Sequence, residues 1–496
     1  MKQKNKKKKD KFYHVLALIL VIITVLALSV LIYFNIIPLK YFIPGTILLS
    51  VIIFFLVKKL CRRTCLFTKL VSSFFSIVLI IIMIIGINYA FGTISFFNNI
   101  FDKGQRTETY ELYVLNKSNY SKISELKNQK IALYDNGEEE FISSIKELEK
   151  KITFKEKKYS NIDDAVNSLI NEETKGLFLN SSLMDIYLED HHIENQIRSI
   201  ESIDLKIKTE SELKEVNVTK KPFVVYLSGI DTSGKVNKSA RSDVNLAAVV
   251  NPKSGKILII SIPRDYYVTL DSKNAKDKLT HAGIYGVLES AKTVGNLLDT
   301  EVNYYARVNF TSFIKIINTI DGISVNVEKP TYRYNGDIDC GANRVCEQNS
   351  KREFANKMIY IKPGQNTLNG EEALAYARNR HQYAGEDNAR GRHQAQIIEA
   401  MINKLSNPST LTKYNKILSS LKSGVLTNID QDSITKLINM QLDKNIKWQI
   451  ETTALTGSNG YDKTYSTGGL KAYVMIPDEE SLTQTKAKIK EYLAVK

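Results

Sequence analysis

Three long stretches contain no Asp, Glu, Lys or Arg: residues 12–34, 41–57 and 70–91. A helix needs about 20 apolar residues to cross a bilayer. The first and third runs suffice; the second is at the short end, with Pro44 and Gly45 near its start. The first run is too long for the apolar core of a secretory signal, and no small-residue cleavage site precedes the second. Residues 1–95 are therefore predicted to be a membrane anchor of three transmembrane helices.

The distribution of charge supports this. The net charge is +15, with seven lysines and one aspartate in residues 1–11. Lys40 follows, then Lys58, Lys59, Arg62, Arg63 and Lys69. These groups carry +12, which leaves +3 of the +15 for residues 70–496. The excess flanks apolar runs, as in a membrane protein, and leaves no basic face for nucleic acid. The positive-inside rule puts the N-terminus and the 58–69 loop in the cytoplasm and residues 35–40 outside. Everything after about residue 91 is then extracellular, away from cytosolic ATP and DNA. Cys61 and Cys65 fall on the reduced side, with no second pair to complete a zinc site. Cys340 and Cys346 fall outside, close enough for a local disulfide.

At 496 residues the chain exceeds a single core of roughly 250–300 residues. Residues 92–107 read as a polar tether. Within 106–216, strands are predicted at 110–115, 130–134, 152–155 and 175–179, with helices at 138–150 and 162–170. This is a small α/β accessory domain, loosely similar to one lobe of an extracellular solute-binding protein. A second, mixed-sheet α/β domain occupies 220–405. Its apolar, β-branched strands are 223–228, 244–250 and 256–262, the last two a hairpin about Asn251-Pro-Lys-Ser-Gly255. Helices follow at 283–298, 311–320, 369–377 and 388–405. Residues 406–496 form a C-terminal α/β extension ending in an amphipathic helix over 479–493.

Gly229-Ile-Asp-Thr-Ser-Gly-Lys235 fits most of a phosphate loop, but Val236 stands where Ser or Thr should hold Mg²⁺. The same stretch has a better use. Asp231 lies just past a strand. Arg241 and Asp243, two apart at the start of the next strand, share a face. Arg264 and Asp265 follow the third. Charged groups thus gather at strand ends, where α/β folds bind ligands. A second cluster comes later. Arg378 and Arg380 can serve one site only if their helix stops near Arg378. Asp387 is placed to cap the next helix, on which Arg390 and Gln394 share a face. Many arginines with few acids suit a polyanion, because guanidinium grips phosphate oxygens bidentately. Two aspartates suit Mg²⁺, which takes one or two carboxylates plus substrate phosphates. Together they fit a Mg²⁺–pyrophosphate ligand.

Residues 222–405 resemble the LytR-CpsA-Psr family. The elements are Gly229-Ile-Asp231, Arg241-Ser-Asp243, Ser261-Ile-Pro-Arg264-Asp265, Lys278-Leu-Thr-His281-Ala, Leu368-Asn-Gly370 with Ala373-Leu374, Arg378-Asn-Arg380, and Asp387-x-x-Arg390 with Gln394. His393 stands where the family often has another arginine, with Arg392 as the available substitute. The three-span anchor and accessory domain resemble the capsule-associated branch. The resemblance implies a Mg²⁺-dependent (or Mn²⁺-dependent) phosphotransferase. It would move an anionic glycopolymer, capsular polysaccharide or wall teichoic acid, from a polyprenyl-pyrophosphate carrier to peptidoglycan. Asp231 and Asp243 would hold the cation. Arg241, Arg264, Arg378, Arg380, Arg390 and Gln394 would grip the pyrophosphate. Asp265 and Asp387 would orient arginines, and Arg241, Asp243, Arg264 and Asp265 would be catalytic. The polyprenyl tail would lie in an apolar tunnel between sheet and helices. A lipid phosphatase and a non-catalytic glycopolymer-binding regulator stay open as alternatives.

Overall fold

The computed structural model describes residues 2–494 except 34–38, 63, 103, 210–212, 232–235, 351–357, 412–416 and 418–423. Most of the external connection at 35–40, Arg63, and residues 232–235 of the rejected phosphate loop lie outside the described residues. The chain forms two compact units. One is Met1–Asn99 with Pro408–Ser419 and Ile429–Ile446; the other is Ile100–Asn407 with Ser420–Asn428 and Lys447–Lys496.

The first unit holds three long helices, α1 (Lys2–Tyr33), α2 (Leu39–Cys61) and α3 (Leu66–Ile100), besides the shorter Pro408–Leu411 and Gln431–Lys444. Lys11–Tyr33, all of α2 and Leu66–Asn88 are each 23 residues, long and apolar enough to cross a membrane. The second run is therefore not short: Leu39, Lys40 and residues 58–61 extend it. Leu20, Ile53 and Met83 meet in a narrow core, while Leu18, Phe54 and Phe74 point outward, as a lipid-facing bundle requires. The expected tether at 92–107 is largely helix and strand instead. No proline interrupts 92–100, so α3 runs on to Ile100, and β1 begins at Gln105.

The second unit contains two main sheets. The smaller joins β1 (Gln105–Leu115), β2 (Lys130–Tyr134), β3 (Lys155–Tyr159), β4 (Gly176–Asn180) and β5 (Ile197–Lys208) in the order β3-β2-β4-β1-β5. Its helices are α4 (Glu139–Lys151), α5 (Ile162–Ile170) and α6 (Ser181–His191). The strand expected at 152–155 lies three residues later. Ile152 ends α4 as its buried cap, and Lys155–Tyr159 is a charged edge strand, as exposed edges favour. Sequence periodicity did not reveal α6 or β5.

The larger sheet contains β6 (Phe223–Ile230), β7 (Val244–Asn251), β8 (Lys256–Ser261) and, after a two-stranded ribbon β9 (Tyr267–Thr269) and β10 (Lys276–Lys278), β11 (Tyr304–Asn309). Two strands from beyond residue 405 complete it, in the order 425–427, β11, β6, β7, β8, 449–454. β6, β7 and β8 are antiparallel, while β11 runs parallel to β6. The β7–β8 hairpin forms as expected. Asn251 Oδ1 accepts from the N–H of Lys253 and Ser254, and Gly255 takes φ +67°, a conformation glycine adopts without steric cost. Buried Tyr226, Ala247, Leu258 and Ile260 pack one core. The helices are α7 (Leu279–Ala282), α8 (Val287–Leu298), α9 (Phe310–Thr319), α10 (Gly370–Arg378), α11 (Glu386–Leu405) and, last, Glu479–Leu493. The helix expected at 283–298 is broken at Gly286, whose φ of +114° no α-helix accommodates.

Candidate active site

Three strand ends supply half of the site. β6 faces a cleft with Leu227, Gly229 and, just past its end, Asp231. β7 does so with Leu246 and Val244, preceded by Asp243 and Arg241. The strand starts at Val244, so Arg241 and Asp243 precede it rather than open it; both still face the cleft. Gly229 permits this closeness, since a Cβ there would lie 2.8 Å from that of Val244.

Arg264 is the hub. Its guanidinium meets Asp243 Oδ1 at 2.9 Å, Glu189 Oε1 at 3.0 Å and Asp265 Oδ2 at 3.3 Å. Burial lowers its pKa, but Asp265, Asp243 and Glu189 together outweigh burial and raise it. Asp265 is enclosed, with Lys278 Nζ at 3.6 Å on its other side. Glu189 also pairs with Arg241. Burial opposes ionisation of Glu189, yet Arg264 and Arg241 hold its pKa down at about 2.

The other half comes from α10 and α11. A capping box starts α10: Asn369 Oδ1 accepts from Glu372 N at 3.0 Å and Glu372 Oε2 from Asn369 N at 2.8 Å. The helix stops at Arg378, the condition that lets Arg378 and Arg380 share one cleft. The chain beyond is fixed by Asn379, which donates to Cys346 O at 2.7 Å, and by Gln382 Oε1, which accepts from Cys346 N at 2.8 Å. Cys346 is bonded to Cys340, with Cα atoms 5.5 Å apart. Asp387 does not cap α11. Gly385 occupies that position, and Asp387 sits in the first turn, where its Oδ1 takes Arg380 at 3.2 Å and Arg390 at 3.0 Å. Burial disfavours its charge, but Arg390, Arg380 and Arg264 keep its pKa below the ordinary value. The pKa of Arg390 is lowered by burial and by the like charges of Arg264 and Arg380, offset in part by Asp387. Guanidiniums from three stretches of chain therefore stand within electrostatic reach of one another.

Asp231, Arg241, Asp243, Arg264, Arg378, Arg380, Arg390 and Gln394 all line one cleft of 820 Å³. Asp265 and Asp387 lie outside this lining and hold its arginines instead. Arg392 and His393 do not reach it. Arg392 pairs with Glu328 at 3.2 Å, and His393 is buried against Tyr376 and Tyr383. Arg392 therefore does not replace an arginine at position 393. The cleft changes character along each element. Leu227 gives way to Asp231, Leu246 to Asp243, and Leu374 to Arg378; on α11, Arg390 and Gln394 give way to Ile397, Ile398 and Met401. At 1.5 Å per residue, Arg390 to Met401 spans about 16 Å. Such a cleft suits a charged head on a long apolar tail.

Among the described residues, no three His, Cys, Asp or Glu side chains gather to hold a metal. Two carboxylates, Asp231 and Asp243, do share the cleft. This set fits Mg²⁺ only when phosphate oxygens and water complete the shell, which is how Mg²⁺ usually binds.

The LytR_cpsA_psr family profile matches residues 190–491. The chain belongs to the LytR_cpsA_psr family. The match extends past residue 405 because the last part of the chain supplies strands of the central sheet. Bacillus subtilis TagU is 33% identical over 247 residues, 49% of this chain and 72% of TagU. TagV of the same organism is 32% identical over 283 residues, 56% of this chain and 66% of TagV. Both are named polyisoprenyl-teichoic acid–peptidoglycan teichoic acid transferases. The crystal structure of B. subtilis TagV is 30% identical with a TM-score of 0.44, covering 55% of this chain and 98% of that one. Glu189, absent from the sequence reading, lies one residue before the family match. Its helix was not recognised, and a lone glutamate carries no signal of its own.

Proposed function

We propose that this protein transfers an anionic glycopolymer from a polyprenyl-pyrophosphate carrier to peptidoglycan outside the cell membrane. The observation that carries the reading is the convergence of Arg241, Arg264, Arg378, Arg380 and Arg390 at the charged end of a cleft whose other end is apolar. Pyrophosphate would sit among the guanidiniums and the prenyl tail against Leu374, Ile397 and Met401. The names of TagU and TagV support the same reaction class.

In this reading a sugar hydroxyl of peptidoglycan attacks the phosphorus nearer the glycopolymer. A new P–O bond forms, the bond to polyprenyl phosphate breaks, and a phosphodiester remains. The arginines stabilise charge on the transferring group, the dominant need in phosphoryl transfer. Of the two carboxylates read as catalytic, Asp243 opens on the cleft and would take the hydroxyl proton, while Asp265 is enclosed by Arg264 and Lys278 and positions Arg264. Mg²⁺, or Mn²⁺, held by Asp231 and Asp243 would neutralise phosphate charge when bound. The basic flanks of the apolar helices support a cytoplasmic N-terminus and extracellular catalytic region.

The test uses the full chain in liposomes, a polyprenyl-pyrophosphate-linked oligosaccharide and peptidoglycan fragments, with products read by mass. Arg264→Ala and Arg378→Ala should each abolish transfer while circular dichroism stays native. Full activity in either variant rejects the site. Release of free oligosaccharide phosphate equally with and without acceptor would mark a phosphatase.

A further inference from the structure

Helix α6 places a carboxylate where a phosphate should go. Asn180 caps it, accepting from Ser182 N at 2.9 Å, and buried Leu183, Met184 and Tyr187 fix it to the smaller sheet. Asp185, Leu188 and Glu189, at helical spacing, face the cleft. One oxygen of Glu189 meets Arg241 and the other meets Arg264. Two oxygens bridging two guanidiniums is the arrangement phosphate adopts with arginines. Arg241 has no other ion pair among the described residues, so its charge is already satisfied by this carboxylate.

We propose that Glu189 is a built-in competitor for the pyrophosphate seat, so that the smaller sheet, through α6, sets the affinity of the headgroup site. The inference rests on the function proposed above. A phosphate group engaging both Arg241 and Arg264 must displace the carboxylate, since the two anions would otherwise repel at close range in a partly buried cleft. The free protein is therefore divided between a seated state, which excludes phosphate, and an unseated state, which accepts it. Apparent affinity falls by the fraction of protein that is unseated. The carboxylate stays charged throughout ordinary pH, so only a ligand or a movement of α6 unseats it.

Isothermal titration of the full chain in detergent and Mg²⁺ buffer, with inorganic pyrophosphate and with geranylgeranyl pyrophosphate, tests this. Glu189→Gln should bind both about tenfold more tightly than the natural protein if the seated state prevails by that ratio. Glu189→Asp retains the charge but withdraws it by one methylene; it should also bind more tightly, and serves if the Gln variant folds poorly. Equal or weaker binding by the folded variants overturns the competition. The Arg264→Ala control separates the two levels. If it abolishes binding while the Glu189 variants match the natural protein, the headgroup site stands and the competitor falls. If neither the natural protein nor the Glu189 variants bind pyrophosphate, both fall.

Discussion

The two halves of the arginine cluster are balanced differently. At the strand ends, Arg241 and Arg264 face three carboxylates: Glu189, Asp243 and Asp265. At the helix ends, Arg380 and Arg390 share Asp387, their one ion-pair partner among the described residues, and Arg378 donates to the carbonyl of Asn349. The first half is neutralised before any ligand arrives. Among the described residues the second carries an excess of positive charge, and the pKa of Arg390 is lowered first by burial and then by the like charges of Arg264 and Arg380. An incoming pyrophosphate should therefore gain most from the helix half, where its charge relieves repulsion. From the strand half it must first win arginines away from existing partners.

The largest effect should separate these halves. Arg390→Ala is expected to weaken pyrophosphate binding on the order of 100-fold, the scale of a charge-assisted contact of about 3 kcal/mol. Arg241→Ala should cost only about tenfold, because its charge is already spent on Glu189. Calorimetry on the two variants checks this, and equal losses would break the comparison. A smaller, pH-dependent effect sharpens it. Glu189 has its pKa lowered from 4.5 to about 2, so its stabilising ion pairs are fully present above its unfolded value and disappear as pH falls from 4.5 towards 2. The unfolding midpoint should drop across that window, and the drop should be shallower in Glu189→Gln. Glu328, lowered to about 2 by His393 and Arg392, contributes in the same window in both proteins and cancels in the difference. The smallest effect concerns Arg392, which is off the cleft and half-exposed with Glu328. Arg392→Ala should change stability by less than about 0.5 kcal/mol and leave transfer unchanged. A loss of transfer would return it to the phosphate site.

Much of the framework was legible locally. The charge-free runs, the β7–β8 hairpin about Asn251 and Gly255, and the end of α10 at Arg378 follow from hydropathy, turn chemistry and period. So did the strand-end position of Asp231 and the shared face of Arg390 and Gln394. Other assignments failed where neighbours overrode local signals. The strand expected at 152–155 forms at Lys155–Tyr159 instead, where β2 holds the charged segment as an edge. Asp387 looks like a cap, yet two arginines claim it. Arg392 looks like a replacement for a missing arginine, but the turn of α11 carries it to Glu328.

By itself the chain's sequence determined which side chains could bind a polyanion and which stretches could enter a membrane, because residue chemistry and short-range period are local properties. Only tertiary structure decided which guanidiniums share a cleft, which acids merely brace them, and that Glu189, on a helix packed against the smaller sheet, sits between two of them. Those outcomes depend on packing between segments far apart in the chain, and no local pattern encodes the distance between them.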